Sequence, residues 1–445
     1  MSTSEFGTFS FLLLLLLATA QLCGYLFTRL RQPRVAGEIL AGLLLGPTIL
    51  GRLAPSLSHA IFPVAGATGS LGKYEVVLSF LYNLGLLLLM FASGAETKGL
   101  FSRENRREVI WLGSVGTILP FLLALLVAPL LPLGLLAGSS GQRTALVLVI
   151  GIAVAVTSIP VISKILHDLR ILHTRFARLI LGVAVLEDVV LWAVLAVATA
   201  LAARVALPLR QVVMHVLATL VYFGIGLLVL PAVLRRVSRT RWNPLARTAP
   251  IAYIVAILLA YTALAAALDV SLVFAAFLAG FGVVVADLDE LKEAIAVVSK
   301  ISFSVFIPVY FAVVGYRLDL KNFPLLMLVA FLILGGAVKL LSAGLGARLA
   351  GFGWLDSTNL AITLNARGGP GIVLASVAYD AGIINAQFYT TLVLVAVLTS
   401  QAAGAWLDFV LRRGWPLLSP QGADTAVEPA SDAPTLAKSD GMASR

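Results

Sequence analysis

Residues 181–195 read LGVAVLEDVVLWAVL, an apolar run with two adjacent carboxylates, Glu187 and Asp188, near its centre. A second apolar run, LILGGAVKLLSAGL at 332–345, carries Lys339 near its middle. A charged side chain at the centre of a bilayer costs at least about 2.5–3.5 kcal/mol, so such residues usually pair and usually serve function. The two runs therefore predict a charged site buried inside a membrane protein.

The composition of the whole chain agrees with a membrane location. Of 445 residues, 60% are hydrophobic and 12% are charged, more apolar side chain than one soluble domain can cover. A spanning helix needs about 20 mostly apolar residues. Such stretches predict an all-α polytopic membrane protein with about thirteen transmembrane helices, at 7–29, 35–51, 75–95, 107–132, 143–166, 175–203, 210–234, 248–268, 270–286, 294–316, 322–348, 357–380 and 386–411.

The basic residues indicate topology rather than a polyanionic partner. They concentrate in alternate joins between spans, at 29–34, 98–107, 164–178, 235–247 and 412–413. Because cytoplasmic loops are rich in Lys and Arg, we expect a protein of the cell membrane with its N-terminus outside and its C-terminus in the cytoplasm. The formal net charge of +10 does not indicate nucleic-acid binding, because these residues do not line one solvated face. Residues 1–414 are predicted to form the membrane domain, and 415–445 a disordered cytoplasmic tail.

Two short patterns recur at long spacing. GEILAG at 37–42 resembles AAFLAG at 275–280, and MFASG at 90–94 resembles YFAVVG at 310–315. Weak self-similarity of this kind is typical of transporters built from two halves. It predicts an inverted repeat of about 7–203 and 248–411 with a linker span between. Small-residue patterns also recur in membrane helices because they allow close packing, and that alternative stays open.

Two predicted spans are interrupted in their middles. The fifth is broken at 157–160 and the twelfth at 365–371. Unwound backbone inside a membrane survives only where it is buried or lines a wet cavity, and paired broken helices mark the substrate site of transporters. We expect freed carbonyls and the oxygens of Thr157, Ser158 and Asn365 to face an alkali cation. The residues expected to shape the breaks are Pro160, Arg367, Gly368, Gly369 and Pro370, with Arg367 neutralising helix carbonyl ends.

The depth of the three charges suggests how they share the site. Counted from the cytoplasmic ends of their spans, Asp188 and Lys339 both lie roughly 14 Å deep at about 1.5 Å per residue. Neighbouring helical residues point about 100° apart, so Glu187 and Asp188 cannot both face Lys339 squarely. One carboxylate remains for an ion. A purely structural bridge between Glu187 and Lys339 is the competing interpretation.

Four stretches carry a resemblance to a known family. They are GEILAGLLLGPTILG at 37–51, Leu84–Gly94, VAVLEDVV at 183–190 and FIPVYFAVVGYRLDL at 306–320. Together they resemble the second family of monovalent cation/proton antiporters, which includes Kef-type and NapA-like transporters. The resemblance implies an NhaA/NapA-like fold with two crossed discontinuous helices, and a homodimer whose protomers have interleaved dimerisation and mobile core subdomains.

The resemblance also implies roles for the three buried charges. Asp188 would bind a monovalent cation (Na⁺, K⁺ or Li⁺) or a proton in alternation, and Glu187 would pair with Lys339. The chain departs from the family at Glu187, where NapA-like members have aspartate and Kef-like members glutamine. That difference leaves the ion and the stoichiometry open.

The function predicted from these observations is exchange of a monovalent cation for protons by alternating access. A passive cation channel and a different symporter on the same fold are the alternatives. An occluded carboxylate beside a lysine disfavours the channel, and adjacent carboxylates disfavour an anionic substrate. The sequence has no phosphate-binding loop, nucleophile elbow or paired-histidine motif, so we predict neither an enzyme nor a cofactor.

Overall fold

The structure is a computed structural model, and it describes residues 3–30, 32–61, 75–96, 106–203, 209–240, 243–268, 270–286, 289–320 and 323–419. Across these ranges the chain is helical apart from loops and one isolated antiparallel bridge between Ala137 and Ile384. The all-α prediction is therefore confirmed. The part of the predicted tail after residue 419 lies outside the described residues.

The helices of the described ranges follow one another with short joins. They are α1 (Thr3–Arg29), α2 (Arg34–Leu45), α3 (Leu50–Leu53), α4 (Pro55–Ile61), α5 (Glu75–Ala95), α6 (Arg106–Val127), α7 (Arg143–Ala155), α8 (Ile159–Asp168), α9 (Arg175–Ala202), α10 (Leu209–Leu228), α11 (Leu230–Arg239), α12 (Pro244–Thr248), α13 (Pro250–Ala267), α14 (Leu272–Val285), α15 (Asp289–Ile301), α16 (Ile307–Tyr316), α17 (Leu325–Ala330), α18 (Gly336–Leu349), α19 (Trp354–Leu364), α20 (Gly368–Asp380) and α21 (Ala386–Arg412). π-Helical turns at Ser302–Phe306 and Phe331–Gly335 join α15 to α16 and α17 to α18.

The lengths of these segments agree with a protein that crosses the membrane many times. Within the described ranges, 10 helical segments are long and apolar enough to span a bilayer, and a pair bent by 48°, Leu217–Leu228 with Leu230–Arg239, would make 11. The predicted spans 143–166 and 270–286 instead hold the shorter apolar helices α7 and α14. At about 1.5 Å per residue these cover only about 20 Å, less than the apolar core of a bilayer. The number thirteen stays a prediction.

Two of the four repeated stretches, 37–42 and 310–315, meet where α2 crosses α16. A Cβ atom added at Gly42 would lie 1.7 Å from the carbonyl oxygen of Ala312, and one added at Gly315 would lie 1.9 Å from the carbonyl oxygen of Ile39. Real Cβ atoms do not approach backbone this closely. Glycine at both positions is therefore what lets the two helix backbones touch.

An equivalent crossing joins α5 to α14. A Cβ atom at Gly94 would lie 2.1 Å from the carbonyl oxygen of Phe277, and one at Gly280 would lie 2.0 Å from that of Phe91. The sequence similarity relates α2 to α14 and α5 to α16, so exchanging the two halves converts one crossing into the other. This correspondence supports the inverted repeat.

The helices pack into two groups. A scaffold group contains α1, α2, α5, α14 and α16, and a core group contains α6 to α9 and α18 to α21. The two predicted helix breaks both lie in the core group. The two glycine crossings both lie in the scaffold group, which fixes that group as one packed unit.

A polar link joins the two groups at the end where α16 and α20 stop. Arg317 Nη1 donates to Asp380 Oδ1 at 2.9 Å, and the hydroxyl of Tyr82 on α5 donates to Asp380 Oδ2 at 3.0 Å. The Arg317 guanidinium also lies over the Tyr82 ring, 4.3 Å from its centroid. The scaffold therefore holds the last residue of α20 by an ion pair and a hydroxyl.

Residues 415–419, which composition assigns to the predicted tail, have defined contacts. Residues 415–419 are packed against α19: Ser419 donates from both its N–H and its hydroxyl to Asp356 at 3.0 Å, and Asn359 donates to the carbonyl of Leu417 at 3.2 Å. Leu418 is buried as well. Composition predicted no core for this segment, yet Leu418 packs into the same buried cluster as the apolar side chains of α19.

The crossings predict a large difference between two glycine substitutions. Gly315→Ala would push a methyl group into the backbone of α2, and we expect a loss of stability of about 3 kcal/mol or more. Gly224→Ala on α10 is the matched control, because an added Cβ there has nothing within 4 Å. Thermal unfolding in detergent measures both; equal melting temperatures would contradict the close crossing.

Candidate functional site

The site begins with two helix breaks that face each other. α7 ends at Ala155 and α8 starts at Ile159, while α19 ends at Leu364 and α20 starts at Gly368. The N–H of Ser158 donates to the carbonyl of Ala366 at 2.7 Å, and the hydroxyl of Thr157 donates to the carbonyl of Leu364 at 2.5 Å. Residues of the first interruption therefore donate hydrogen bonds to free backbone carbonyls of the second, as expected for crossed discontinuous helices.

The breaks are shorter than the sequence suggested. Ile159 and Pro160 already belong to α8, where a proline in the first turn needs no partner for its missing N–H. Gly368, Gly369 and Pro370 form the first turn of α20 rather than an unwound stretch. Gly368 has φ 34°, and a Cβ there would lie 2.5 Å from the Ser158 hydroxyl, so glycine lets the two breaks approach.

Lys339 on α18 is fully buried and has three acceptors. Its Nζ donates to Glu187 Oε1 at 2.7 Å, to the carbonyl of Gly116 on α6 at 3.0 Å and to the carbonyl of Ala155. The hydroxyl of Thr117 donates to the same Glu187 oxygen at 2.8 Å. Lys339 and Glu187 thus form a hydrogen-bonded ion pair with no exposed surface.

Both carbonyls that bind Lys339 are available because each lacks the usual hydrogen bond within its helix. The carbonyl of Gly116 would normally bond the N–H four residues later, but that residue is Pro120, which has no N–H. Ala155 is the last residue of α7, so its carbonyl is one of the unpaired groups at a helix end. The sequence signal for the first acceptor was Pro120 inside an apolar span.

Asp188 lies beside this pair but outside it. Its side chain is fully buried, and within the described residues neither carboxylate oxygen has a hydrogen-bond partner. Ser93 on α5 and Trp192, one turn later on α9, lie next to the carboxylate without meeting hydrogen-bond geometry. Sequence reasoning did not identify these two neighbours, because contacts between helices are not visible in spacing along the chain.

The three predicted ligand oxygens are differently occupied. The Thr157 hydroxyl bonds the second break, and the Ser158 hydroxyl accepts the N–H of Val161 at 3.4 Å, capping α8. The side-chain oxygen of Asn365 is buried with no partner in the described part of the chain. All three oxygens keep lone pairs, so their role as cation ligands stays a prediction.

Arg367 directly precedes α20. Its side chain is buried, and none of its three guanidinium nitrogens has a hydrogen-bond partner among the described residues. The guanidinium therefore makes no hydrogen bond to a helix carbonyl in the described chain, and its role in neutralising helix ends stays a prediction. Arg367 borders a cavity whose other lining residues are Ala153, Gly371, Leu374, Leu392, Val395 and Ala396.

Comparison with known proteins gives consistent matches along the chain. The profile of a family described as sodium/hydrogen exchanger, transmembrane, matches residues 14–413. K⁺/H⁺ antiporter 1 of Saccharomyces cerevisiae is 30% identical over 414 residues, which are 90% of this chain and 46% of the yeast protein. The Na⁺/H⁺-K⁺ antiporter GerN of Bacillus cereus is 26% identical over 90% of this chain and 96% of its own length. The chain spans about half the length of the yeast relative and of cation/H⁺ antiporter 18 of Arabidopsis thaliana.

A solved structure extends this likeness to three dimensions. The sodium proton antiporter MjNhaP1 of Methanocaldococcus jannaschii superimposes with a TM-score of 0.61, over 92% of this chain and 99% of that protein. At 15% sequence identity the match concerns the fold.

The geometry predicts strong coupling between Glu187 and Lys339. Lys339→Gln leaves a buried carboxylate without its cation and should lower the unfolding free energy by about 3–5 kcal/mol, as should Glu187→Gln. The double variant should lose much less than the sum of the two. Denaturant unfolding in detergent, followed by tryptophan fluorescence, measures all three against Lys300→Gln on the exposed face of α15. Additive losses would show that the two side chains are not coupled.

Proposed function

This chain belongs to the sodium/hydrogen exchanger family, and from that premise we propose that it exchanges a monovalent cation, Na⁺ or K⁺, for protons by alternating access. The observation that carries the proposal is Asp188, a fully buried carboxylate with both oxygens unpaired in the described chain, on the helix α9 that packs against both broken spans. Family membership agrees with the resemblance found in the four sequence stretches. The members of this family are described as transporters.

Asp188 is suited to carry the ion because its ionised carboxylate has no neutralising partner among the described residues of its buried site. An ionised carboxylate in a low-dielectric interior is unstable unless a proton or a cation neutralises it. Glu187 has its own cation in Lys339, whereas Asp188 has none within hydrogen-bond distance in the described chain. Asp188 is therefore the group whose neutralisation permits movement of the core group, and either cargo supplies it.

The surroundings of Asp188 suit a hard alkali cation. Such ions prefer oxygen ligands, and the breaks supply carbonyls together with the oxygens of Thr157, Ser158 and Asn365. Relatives bearing the names of Na⁺/H⁺ and K⁺/H⁺ antiporters support both ions as candidates. The structural ion pair of Glu187 and Lys339 would then shape the site without carrying the ion.

We also propose the setting in which this exchange takes place. The chain acts as a homodimer in a cell membrane, with its N-terminus outside and its C-terminus in the cytoplasm, as the basic joins and the family resemblance indicate. In this orientation, the link between Arg317 and Asp380 closes the outer side of the boundary between the two groups. The last turn of α5, with Ser93, faces the cytoplasmic side.

Removing the exchangeable charge tests the carrier directly. Asp188→Asn keeps the shape of the side chain but binds neither a proton nor a cation as a carboxylate does, so we expect exchange to fall at least about a hundredfold. Proteoliposomes with an imposed pH gradient and Na⁺, K⁺ or Li⁺ measure it. Asp408→Asn, which makes the same chemical change in a partly exposed ion pair on α21, is the control. Near wild-type exchange by Asp188→Asn would sink the proposal.

A shared carboxylate also predicts competition between the two cargoes. As pH falls, more Asp188 carries a proton, so the apparent cation affinity should weaken by up to about tenfold per pH unit while the maximal rate changes less. The same proteoliposomes, titrated with cation at a series of pH values, give this dependence. An apparent affinity that is flat from acidic to alkaline pH would contradict a shared site.

A further inference from the structure

The last turn of α5 presents an unusual serine to the site. Ser93 is 3% exposed, and its hydroxyl has no hydrogen-bond partner among the described residues. A buried serine in an apolar helix commonly donates to the carbonyl four residues earlier. Ser302 and Ser400 do this here, at 2.7 and 2.8 Å. Ser93 lacks that bond, and its hydroxyl lies beside the carboxylate of Asp188 instead.

Chemistry separates Ser93 from the other polar neighbour of Asp188. The indole of Trp192 offers only a donor, so it can approach the empty, ionised carboxylate but cannot coordinate a cation. A serine hydroxyl has lone pairs as well as a proton, and oxygen is the ligand that alkali cations take. Of the two neighbours, Ser93 alone can contribute a ligand.

The position of Ser93 in the fold adds a second property. Ser93 precedes Gly94, whose Cα touches the backbone of α14, so it belongs to the scaffold group, whereas Asp188 belongs to the core group. Glu96, the residue that follows α5, interacts electrostatically with Asp188. An acidic side chain near the site raises the local concentration of cations.

We propose that the Ser93 hydroxyl is a ligand of the transported cation, contributed by the scaffold group while Asp188 faces the end of α5. The proposal rests on exchange at Asp188 and adds to it a site shared between two groups that move relative to each other. The cation loses this ligand when the core group moves away. Affinity is therefore higher on the side where α5 ends than on the other side.

The test compares the cation dependence of three variants. Ser93→Ala should raise the apparent KM for the preferred cation about tenfold on the side facing the end of α5, with little change from the opposite side. Ser93→Thr keeps the hydroxyl and should stay within about threefold of wild type. Ser302→Ala removes a buried hydroxyl, in the π-helical turn before α16, that bonds the carbonyl of Val298, and should change neither value. Right-side-out and inside-out vesicles give the two sides separately.

A second readout does not depend on turnover. Cation binding should raise the melting temperature of purified protein, and the concentration of Na⁺ or K⁺ giving half of that rise should shift about tenfold in Ser93→Ala. If Ser93→Ala leaves both readouts unchanged while Asp188→Asn is inactive, the ligand assignment is wrong and the proposed function stands. If KM rises equally on both sides, Ser93 has only a structural role. Active Asp188→Asn would instead remove the proposed function itself.

Discussion

The ammonium group of Lys339 must find acceptors at a depth where water is scarce, and the arrangement of the core group follows from that need. Inside a regular helix each carbonyl already accepts the N–H four residues later, so a carbonyl that lacks this bond is the better acceptor for a buried ammonium group. The chain supplies two by interrupting helices, with Pro120 freeing the carbonyl of Gly116 and the end of α7 freeing that of Ala155. The break in α7 that could bind cargo is thus also what allows a lysine to be buried. Site and fold are stabilised by the same departure from helical geometry.

The features that could be predicted from the sequence are those marked by a residue type that is unusual for its local surroundings. A lysine and two carboxylates within apolar runs, and helix breakers in the middle of spans, are local anomalies that need no knowledge of packing. The family assignment, confirmed by the profile match over residues 14–413, also followed from local stretches. The four glycines of the repeat were noticed as a pattern, and the structure gives their reason: each lies where two helix backbones touch.

Features set by contacts between distant segments were missed or misjudged. The interaction of Ser93 with Asp188 depends on a neighbouring helix, and so does the absence of hydrogen-bond partners around the buried guanidinium of Arg367 in the described chain. The tail residues 415–419 read as polar and proline-containing, yet Leu418 packs beneath α19 while Asp356 holds Ser419. The first break was predicted to run to Pro160, yet Ile159 and Pro160 form the first turn of α8, because proline is favourable in the first turn of a helix.

The ion pair between Arg317 and Asp380 lets the solution at that end of the molecule act on the resting state of the protein. Its side chains are 23% and 40% exposed, so dissolved ions reach and screen it. An exposed pair of this kind contributes up to about 1 kcal/mol, which corresponds to a roughly fivefold preference for the conformation that contains it. Thermal motion breaks such a link readily, so it does not lock the protein. It biases the distribution between conformations, and the ionic strength of the solution at this end of the molecule changes that bias, whichever cation is carried.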